Sequence, residues 1–118
     1  MHRFKELNVW NKSMVFSKEV YSYCRMLPRE ERYGLISQMQ RSSVSIPSNI
    51  AEGAGIDSKK SFYHFAQIAI ASSFELETQL LLSKDIYTEI TDEKYNDLYV
   101  KLAEVQKMLV SFRKHLSQ

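Results

Sequence analysis

Apolar residues recur every three or four positions along most of the chain, which is the spacing of one face of an α-helix. The first such run predicts a helix over residues 7–27. Its apolar stripe consists of Leu7, Trp10, Met14, Tyr21 and Cys24. Ser17 fills the one polar gap in this stripe, and Pro28 ends the run because proline interrupts a helix.

A second helix is predicted over residues 29–53. Glu30 and Glu31 fall in its first turn, where the positive end of the helix dipole favours carboxylates. Gly53 and Gly55, in the sequence EGAG, indicate its end. The core stripe of this helix is predicted to contain Leu35, Met39, Ile46 and Ile50.

The third and fourth helices are predicted over residues 59–87 and 92–117, with Ser58 and Thr91 as their N-terminal caps. The apolar positions of the third helix include Phe62, Phe65, Ala69, Leu76 and Leu80. Those of the fourth are Tyr95, Leu98, Leu102, Val105, Leu109, Phe112 and Leu116. Successive apolar positions of the fourth helix are alternately three and four residues apart, which is typical of helices that pack in a bundle.

Short connections between long helices favour antiparallel neighbours. The pattern therefore predicts an all-α protein in which residues 1–118 form a single antiparallel up-down-up-down four-helix bundle. The composition agrees, because 3 glycines and 2 prolines are too few for the many turns of a β-sandwich or barrel. The chain has no apolar run long enough to span a membrane and only one cysteine, so we expect a soluble, cytoplasmic protein without an internal disulfide.

The stretch QRSSVSIPSNIAEGAG, residues 40–55, places Pro47 inside the second predicted helix. On another side of this helix, away from its core stripe, a second apolar strip consists of Val44, Pro47 and Ala51. The third helix repeats this feature with Tyr63, Ile70, Phe74 and Leu81. Two explanations are open: both helices are buried on most sides, or the strips form a subunit interface. We favour the interface, and predict a homo-oligomer in which Pro47 bends the helix or marks a close approach to a neighbour.

The charges are distributed unevenly although the formal net charge is only +2. In an up-down bundle one end holds seven cations: Arg3, Lys5, Lys12, Lys59, Lys60, Arg113 and Lys114. Three carboxylates, Glu6, Glu52 and Asp57, lie at the same end and leave a local balance of +4. The opposite end has a predicted balance of −2. In a cyclic ring these charges would reinforce each other into one basic face, for which RNA or DNA is the predicted partner, bound through its backbone.

No catalytic, metal or cofactor site is predicted. The di-metal sites of helical bundles use Glu-x-x-His pairs, and neither His64 nor His115 has a glutamate three positions before it. Glu75 and Glu77 fall about 200° apart around their helix, so they cannot form a close acid–base pair. We expect Glu77 to meet Lys84 or a partner chain, and expect the protein not to be an enzyme. The alternative to nucleic-acid binding is a scaffold that docks another protein.

Three segments of the chain closely resemble the four-helix-bundle family of 23S rRNA intervening-sequence proteins. They read FKELNVWNKSMVFSKEVY, LPREERYGLISQMQRSSVSIPSNIAEGAG and FYHFAQIAIASSFELETQLLLSKD. The resemblance implies an up-down bundle that assembles into a closed ring, commonly a pentamer, in a family related to an accessory protein of bacterial diversity-generating retroelements. It implies nucleic-acid binding as the usual hypothesis and supplies no catalytic motif, so Asn49 and Glu52 are interpreted as structural.

Overall fold

The computed structural model describes residues 3–117. Its four α-helices are α1 Asn8–Cys24, α2 Leu35–Gly55, α3 Lys59–Ile86 and α4 Asp92–Leu116. Short 3-10 helices at Phe4–Glu6 and Arg29–Glu31 precede α1 and α2, and the described part of the chain contains no strand. The all-α prediction and the four helices are confirmed.

Each helix packs against the next one along the chain, and α4 packs against α1, so the four helices surround one core. Two ion pairs link α1 to α4: Lys12 to Glu104 at 3.3 Å and Glu19 to Lys101 at 2.9 Å. The residue number falls along α4 as it rises along α1, as antiparallel neighbours require. This pairing agrees with the up-down order, which stays a prediction for the bundle as a whole.

The core stripe of α1 differs from the predicted one. Its buried positions are Val9, Ser13, Phe16, Ser17, Val20, Tyr23 and Cys24. Trp10 is half-buried and packs against this core, as predicted. Met14 is half-buried and Tyr21 is 43% exposed, so the prediction that these two belong to the core was wrong. Both sets have spacings of three and four. Ser17 and Cys24, which the predicted stripe contained, are buried, whereas the rest of the buried stripe was missed because Ser13 is a second polar position within it.

The second α-helix begins at Leu35 rather than at residue 29. After the 3-10 turn, the Glu31 carboxylate reaches forward and accepts a hydrogen bond from the backbone N–H of Leu35, at 3.1 Å. A Cβ atom at Gly34 would approach the Glu31 Oε1 atom to 2.5 Å, so glycine leaves room for this carboxylate. Glu31 therefore stabilises the start of α2 from outside the helix instead of lying within its first turn.

The other helix ends lie close to their predicted positions. Ser58 and Thr91 cap α3 and α4 through side chains that accept hydrogen bonds from the backbone N–H groups of Ser61 and Lys94, each at 3.2 Å. The second helix continues to Gly55, two residues beyond its predicted end. Gly53 is buried against the start of α3, where an added Cβ atom would meet the Phe62 ring at 2.5 Å. Gly53 therefore permits close helix packing rather than ending the helix.

Candidate nucleic-acid interface and subunit surfaces

The beginning of α1, the beginning of α3 and the end of α4 lie at one end of the bundle. Phe62 in the first turn of α3 contacts Phe112 of α4, with ring centroids 5.2 Å apart. Leu7, immediately before α1, lines the same cleft as Phe112 and His115. These contacts bring together three segments that are distant in sequence. We refer to this region as the basic end.

The seven predicted cations all lie on these segments. Lys59 and Lys60 are exposed in the first turn of α3, and Arg113 and Lys114 lie in the last turn of α4. Arg3 and Lys5 are exposed near the short 3-10 helix that precedes α1. Of the seven, only Arg113 is half-buried. Their assignment to nucleic-acid binding stays a prediction.

Arg3 and Lys12 have carboxylate neighbours. Arg3 pairs with Glu6 at 3.5 Å, and Lys12 pairs with Glu104 at 3.3 Å. The charge balance predicted from the sequence did not include Glu104, because it lies three helical turns before the end of α4. Both ion pairs are between exposed side chains, and such pairs contribute at most about 1 kcal/mol. A phosphate group could replace either carboxylate with little loss of stability.

The opposite end of the bundle contains ion pairs and hydrogen bonds between side chains. Lys84 pairs with Asp92 at 2.9 Å, and the Tyr87 hydroxyl donates a hydrogen bond to the Glu31 carboxylate. Hydrogen bonds from the Tyr87 hydroxyl and from the Leu35 N–H hold the pKa of Glu31 below its usual range. The hydrogen bond between Tyr87 and Glu31 also raises the pKa of the Tyr87 hydroxyl, to about 12. This arrangement fixes the 3-10 turn against the end of α3.

Glu77 lies on the α3 face that contacts α4. Its Oε1 atom accepts a hydrogen bond from the Gln106 side-chain amide at 2.8 Å. Of the two partners predicted for Glu77, Lys84 is excluded because it pairs with Asp92 instead, and a contact with a partner chain stays a prediction. Glu77 and Gln106 therefore mark the line along which α3 meets α4.

The two apolar strips predicted as an oligomer interface are only partly exposed. Phe74 is 55% exposed, Leu81 50% and Val44 41%, whereas Ala51 and Tyr63 are half-buried. Pro47 and Ile70 are buried within the chain itself. The inclusion of Pro47 and Ile70 as surface positions is therefore corrected, because each faces a neighbouring helix of the same bundle. For the other five residues the interface stays a prediction.

The first strip continues onto α1, where its members are half-buried or exposed. The Ser17 hydroxyl of α1 donates a hydrogen bond to the Ser43 carbonyl of α2 at 3.0 Å and so marks where the two helices meet. At about 100° per residue, three apolar α1 residues that are half-buried or exposed lie within about 60° of Ser17. The resulting α1–α2 strip consists of Trp10, Met14, Tyr21, Val44 and Ala51.

The second strip likewise continues onto α4. Tyr99 is 40% exposed and Val110 43%, and both lie within about 40° of Gln106, the residue that contacts α3. The resulting α3–α4 strip consists of Tyr63, Phe74, Leu81, Tyr99 and Val110. Because α2 packs on α3 and α4 packs on α1, the two strips lie on opposite sides of the bundle.

The seam between α2 and α3 is polar. Ser42 donates a hydrogen bond to Gln79 at 2.8 Å, and the Ser45 and Ser72 hydroxyls are 2.8 Å apart. The Asn49 side-chain amide donates to the Ser45 carbonyl at 2.7 Å. Serines let the two helices approach closely, and their hydroxyls find partners within the seam. These contacts support a structural role for Asn49, while Glu52 is exposed at the surface.

A cleft of about 800 Å³ opens between α1 and α4 at the basic end. Its apolar lining includes Leu7, Val9, Met108 and Phe112. Asn8, Ser111 and His115 add polar groups, and Lys12 and Lys107 stand at its rim together with Glu104. Nothing in the sequence pattern indicates this cleft, because its two walls come from the first and the last helix of the chain.

Within residues 3–117, no three His, Cys, Asp or Glu side chains are grouped so that they could hold a metal ion. Cys24 is buried, and burial raises the pKa of its thiol to about 11, which keeps the thiol protonated. None of the helices in the described range is sufficiently long and apolar to cross a lipid bilayer.

Comparisons with known proteins agree with the resemblance seen in the sequence. The family model described as 23S rRNA-intervening sequence protein matches residues 5–111. A crystal structure of a protein with unknown function, from the S23 ribosomal protein family of Bacteroides thetaiotaomicron, superposes with a TM-score of 0.79. That protein is 30% identical in sequence, and the match covers 90% of this chain and 98% of the other. A search of curated proteins found no match.

Proposed function

The chain belongs to the 23S rRNA-intervening sequence protein family, and we propose that it is a non-catalytic protein that forms a homo-oligomeric ring and binds nucleic acid through its basic end. The observation that carries this proposal is the convergence of cations from three separate segments. The contacts of Phe62 with Phe112, and of Leu7 with the same cleft, bring these segments together.

The two apolar strips support a ring rather than an isolated monomer. A twofold dimer brings one patch against the same patch of its partner, which would leave the second strip exposed. Two different strips on opposite sides of the bundle instead suit a head-to-tail contact, in which the α1–α2 strip of one copy meets the α3–α4 strip of the next. Repeated around an axis, this contact closes into a ring, and five copies is the expected number.

A ring of this kind would also concentrate charge. If the helices run roughly parallel to the ring axis, every copy presents its basic end on the same face. All three segments of the basic end contribute cations, so each copy can contact several phosphates. Because no recognition helix is evident, we expect binding through the phosphate backbone with weak sequence preference.

Fluorescence anisotropy with a structured RNA and a duplex DNA, at several salt concentrations, tests the proposal. Removal of one phosphate contact should make the slope of log affinity against log salt shallower by about 0.7 to 0.9. The double substitution Lys59→Glu with Lys60→Glu should weaken binding to all sequences and flatten this slope. Glutamate is favoured in the first turn of a helix, so the substitutions should not unfold α3.

The matched control is Arg29→Glu with Lys94→Glu, which makes the same change in charge at the opposite end of the bundle. Arg29 and Lys94 are exposed. This control should lower affinity far less than the Lys59 and Lys60 pair. If both double variants weaken binding equally, only net charge matters and the basic end is not the interface. If neither nucleic acid binds at low salt, the protein-scaffold alternative takes its place.

A further inference from the structure

We infer that the cleft between α1 and α4 holds an unpaired nucleobase of the bound RNA, while the cations around it hold the neighbouring phosphates. This inference rests on the proposed function and adds to it a preference among RNA structures. A backbone-binding surface alone does not distinguish a perfect helix from one with an extruded nucleotide. A cleft that accepts a base would make that distinction.

The lining of the cleft suits the flat faces of a base. Leu7, Val9 and Met108 provide an apolar surface, and the Phe112 ring is half-buried beside them. The edge-to-face contact with Phe62, at an interplanar angle of 67°, holds the Phe112 ring in position. The volume of about 800 Å³ is ample for one nucleoside. Bases gain affinity by stacking on aromatic side chains irrespective of their sequence.

The polar groups of the cleft suit the edges of a base and its phosphates. The Asn8 amide and the Ser111 hydroxyl can donate and accept hydrogen bonds. Lys12 and Lys107 line the cleft together with Glu104, which pairs with Lys12 at 3.3 Å, and Lys114 lies in the last turn of α4, so the cations outnumber the carboxylate. Positive charge around an apolar opening complements a nucleotide, which has an apolar base and an anionic phosphate.

The cleft also stays open in the proposed ring. It lies where α4 meets α1, between the α1–α2 strip on one side and the α3–α4 strip on the other. Contacts between copies through these strips would cover the sides of the bundle and leave this seam uncovered. Every copy in a ring would therefore retain a cleft next to its basic end.

The test compares two RNA hairpins that are identical except for one bulged nucleotide, using fluorescence anisotropy with the full chain. The bulged hairpin should bind about tenfold more tightly, the effect of one stacked base. Ser111→Leu places a bulky, non-aromatic side chain at an exposed position in the cleft and should remove most of the difference in affinity. Ser111→Ala removes only the hydroxyl, so this variant should retain most of the difference in affinity between the two hairpins. Affinity for the perfect hairpin should be the same in all three proteins, which also shows that the variants are folded.

The possible outcomes separate the two proposals. Equal affinity for the two hairpins in the unmodified protein overturns the nucleobase inference and leaves the basic end as a backbone-binding surface. A difference that persists undiminished in Ser111→Leu also overturns it, because the bulge is then recognised elsewhere. If neither hairpin binds at low salt, the proposed function fails, and the nucleobase inference fails with it.

Discussion

The Ser17 hydroxyl of α1 donates a hydrogen bond to the Ser43 backbone carbonyl of α2, at 3.0 Å. In a regular helix this carbonyl would accept a hydrogen bond from the N–H four residues later, and that residue is Pro47, which has no N–H. A buried serine from the neighbouring helix therefore satisfies the carbonyl that the proline leaves free. This contact explains how α2 tolerates a proline in its interior.

Ser17→Ala should lower the free energy of unfolding by about 1–3 kcal/mol, because it leaves a buried carbonyl without a partner. In a Pro47→Ala background the backbone N–H of residue 47 can bond to Ser43, so the same substitution should cost much less. Urea denaturation of the four proteins in this double-mutant cycle measures the coupling.

Ser13→Ala is the control for this cycle. Ser13 is also buried in α1, but its hydroxyl donates to the Val9 carbonyl of its own helix. Ser13→Ala should lower the free energy of unfolding by the same amount in the unmodified protein and in the Pro47→Ala background. If Ser17→Ala also lowers the free energy of unfolding equally in both backgrounds, Ser17 does not replace the hydrogen bond that Pro47 removes.

Gly53→Ala should lower the free energy of unfolding by about 1–3 kcal/mol, since the added methyl group would clash with the Phe62 ring. Gly55→Ala is the matched control in the same helical turn. Nothing lies within 4 Å of a Cβ atom at Gly55, so this variant should be as stable as the unmodified protein or slightly more stable. Thermal unfolding followed by circular dichroism compares them, and equal losses at both positions would exclude the packing explanation.

Tyr87→Phe should reduce the sensitivity of the fold to acid. The pKa of Glu31 is lower in the folded state than its usual value of 4.5, so its contribution to stability is present at neutral pH and is lost as the pH falls through the folded-state pKa. Removing the Tyr87 hydroxyl removes the main cause of that lowered pKa. The melting temperature of the variant should therefore fall less than that of the unmodified protein between pH 7 and pH 3.

Tyr33→Phe serves as the control for acid sensitivity. Tyr33 is 86% exposed, and its ring contacts Arg32 rather than a carboxylate. This variant should show the same loss of melting temperature in acid as the unmodified protein. An unaltered acid response in Tyr87→Phe as well would show that the Glu31 contact does not contribute to stability at neutral pH.

Phe74→Glu should split the proposed oligomer. A carboxylate buried without a partner at a subunit interface costs several kcal/mol, whereas Phe74 is 55% exposed in the single chain and the fold should persist. Light scattering at micromolar concentration should give a multiple of 13.8 kDa for the unmodified protein and a smaller mass for the variant.

Leu82→Glu tests whether this effect is specific to the α3–α4 strip. Leu82 is 46% exposed on the same helix, but it lies about 80° around the axis from Phe74, towards α2. Its assembly mass should match that of the unmodified protein. A mass near 13.8 kDa for the unmodified protein would disprove the homo-oligomer altogether.

The periodicity of apolar residues was sufficient to predict four helices, because helix packing requires an apolar face at regular spacing. The caps at Ser58 and Thr91 were also predictable, since capping is a local interaction between a side chain and the next turn. The start of α2 was not, because it depends on Glu31, whose carboxylate is fixed by Tyr87, 56 residues further along the chain.

Which apolar residues are buried was decided only by the tertiary structure. Pro47 and Ile70 resemble surface positions on a helical wheel, but neighbouring helices cover them. Ser17 resembles a gap in an apolar stripe, but it satisfies a carbonyl that Pro47 leaves free on another helix. The seven cations could be assigned to one end of the bundle from the helix order alone. The cleft beside them could not be predicted, because it depends on how α1 packs against α4. The sequence by itself therefore determined the helices and the charge at their ends, because these follow from local spacing, and the packing of distant segments decided the surfaces available to a partner.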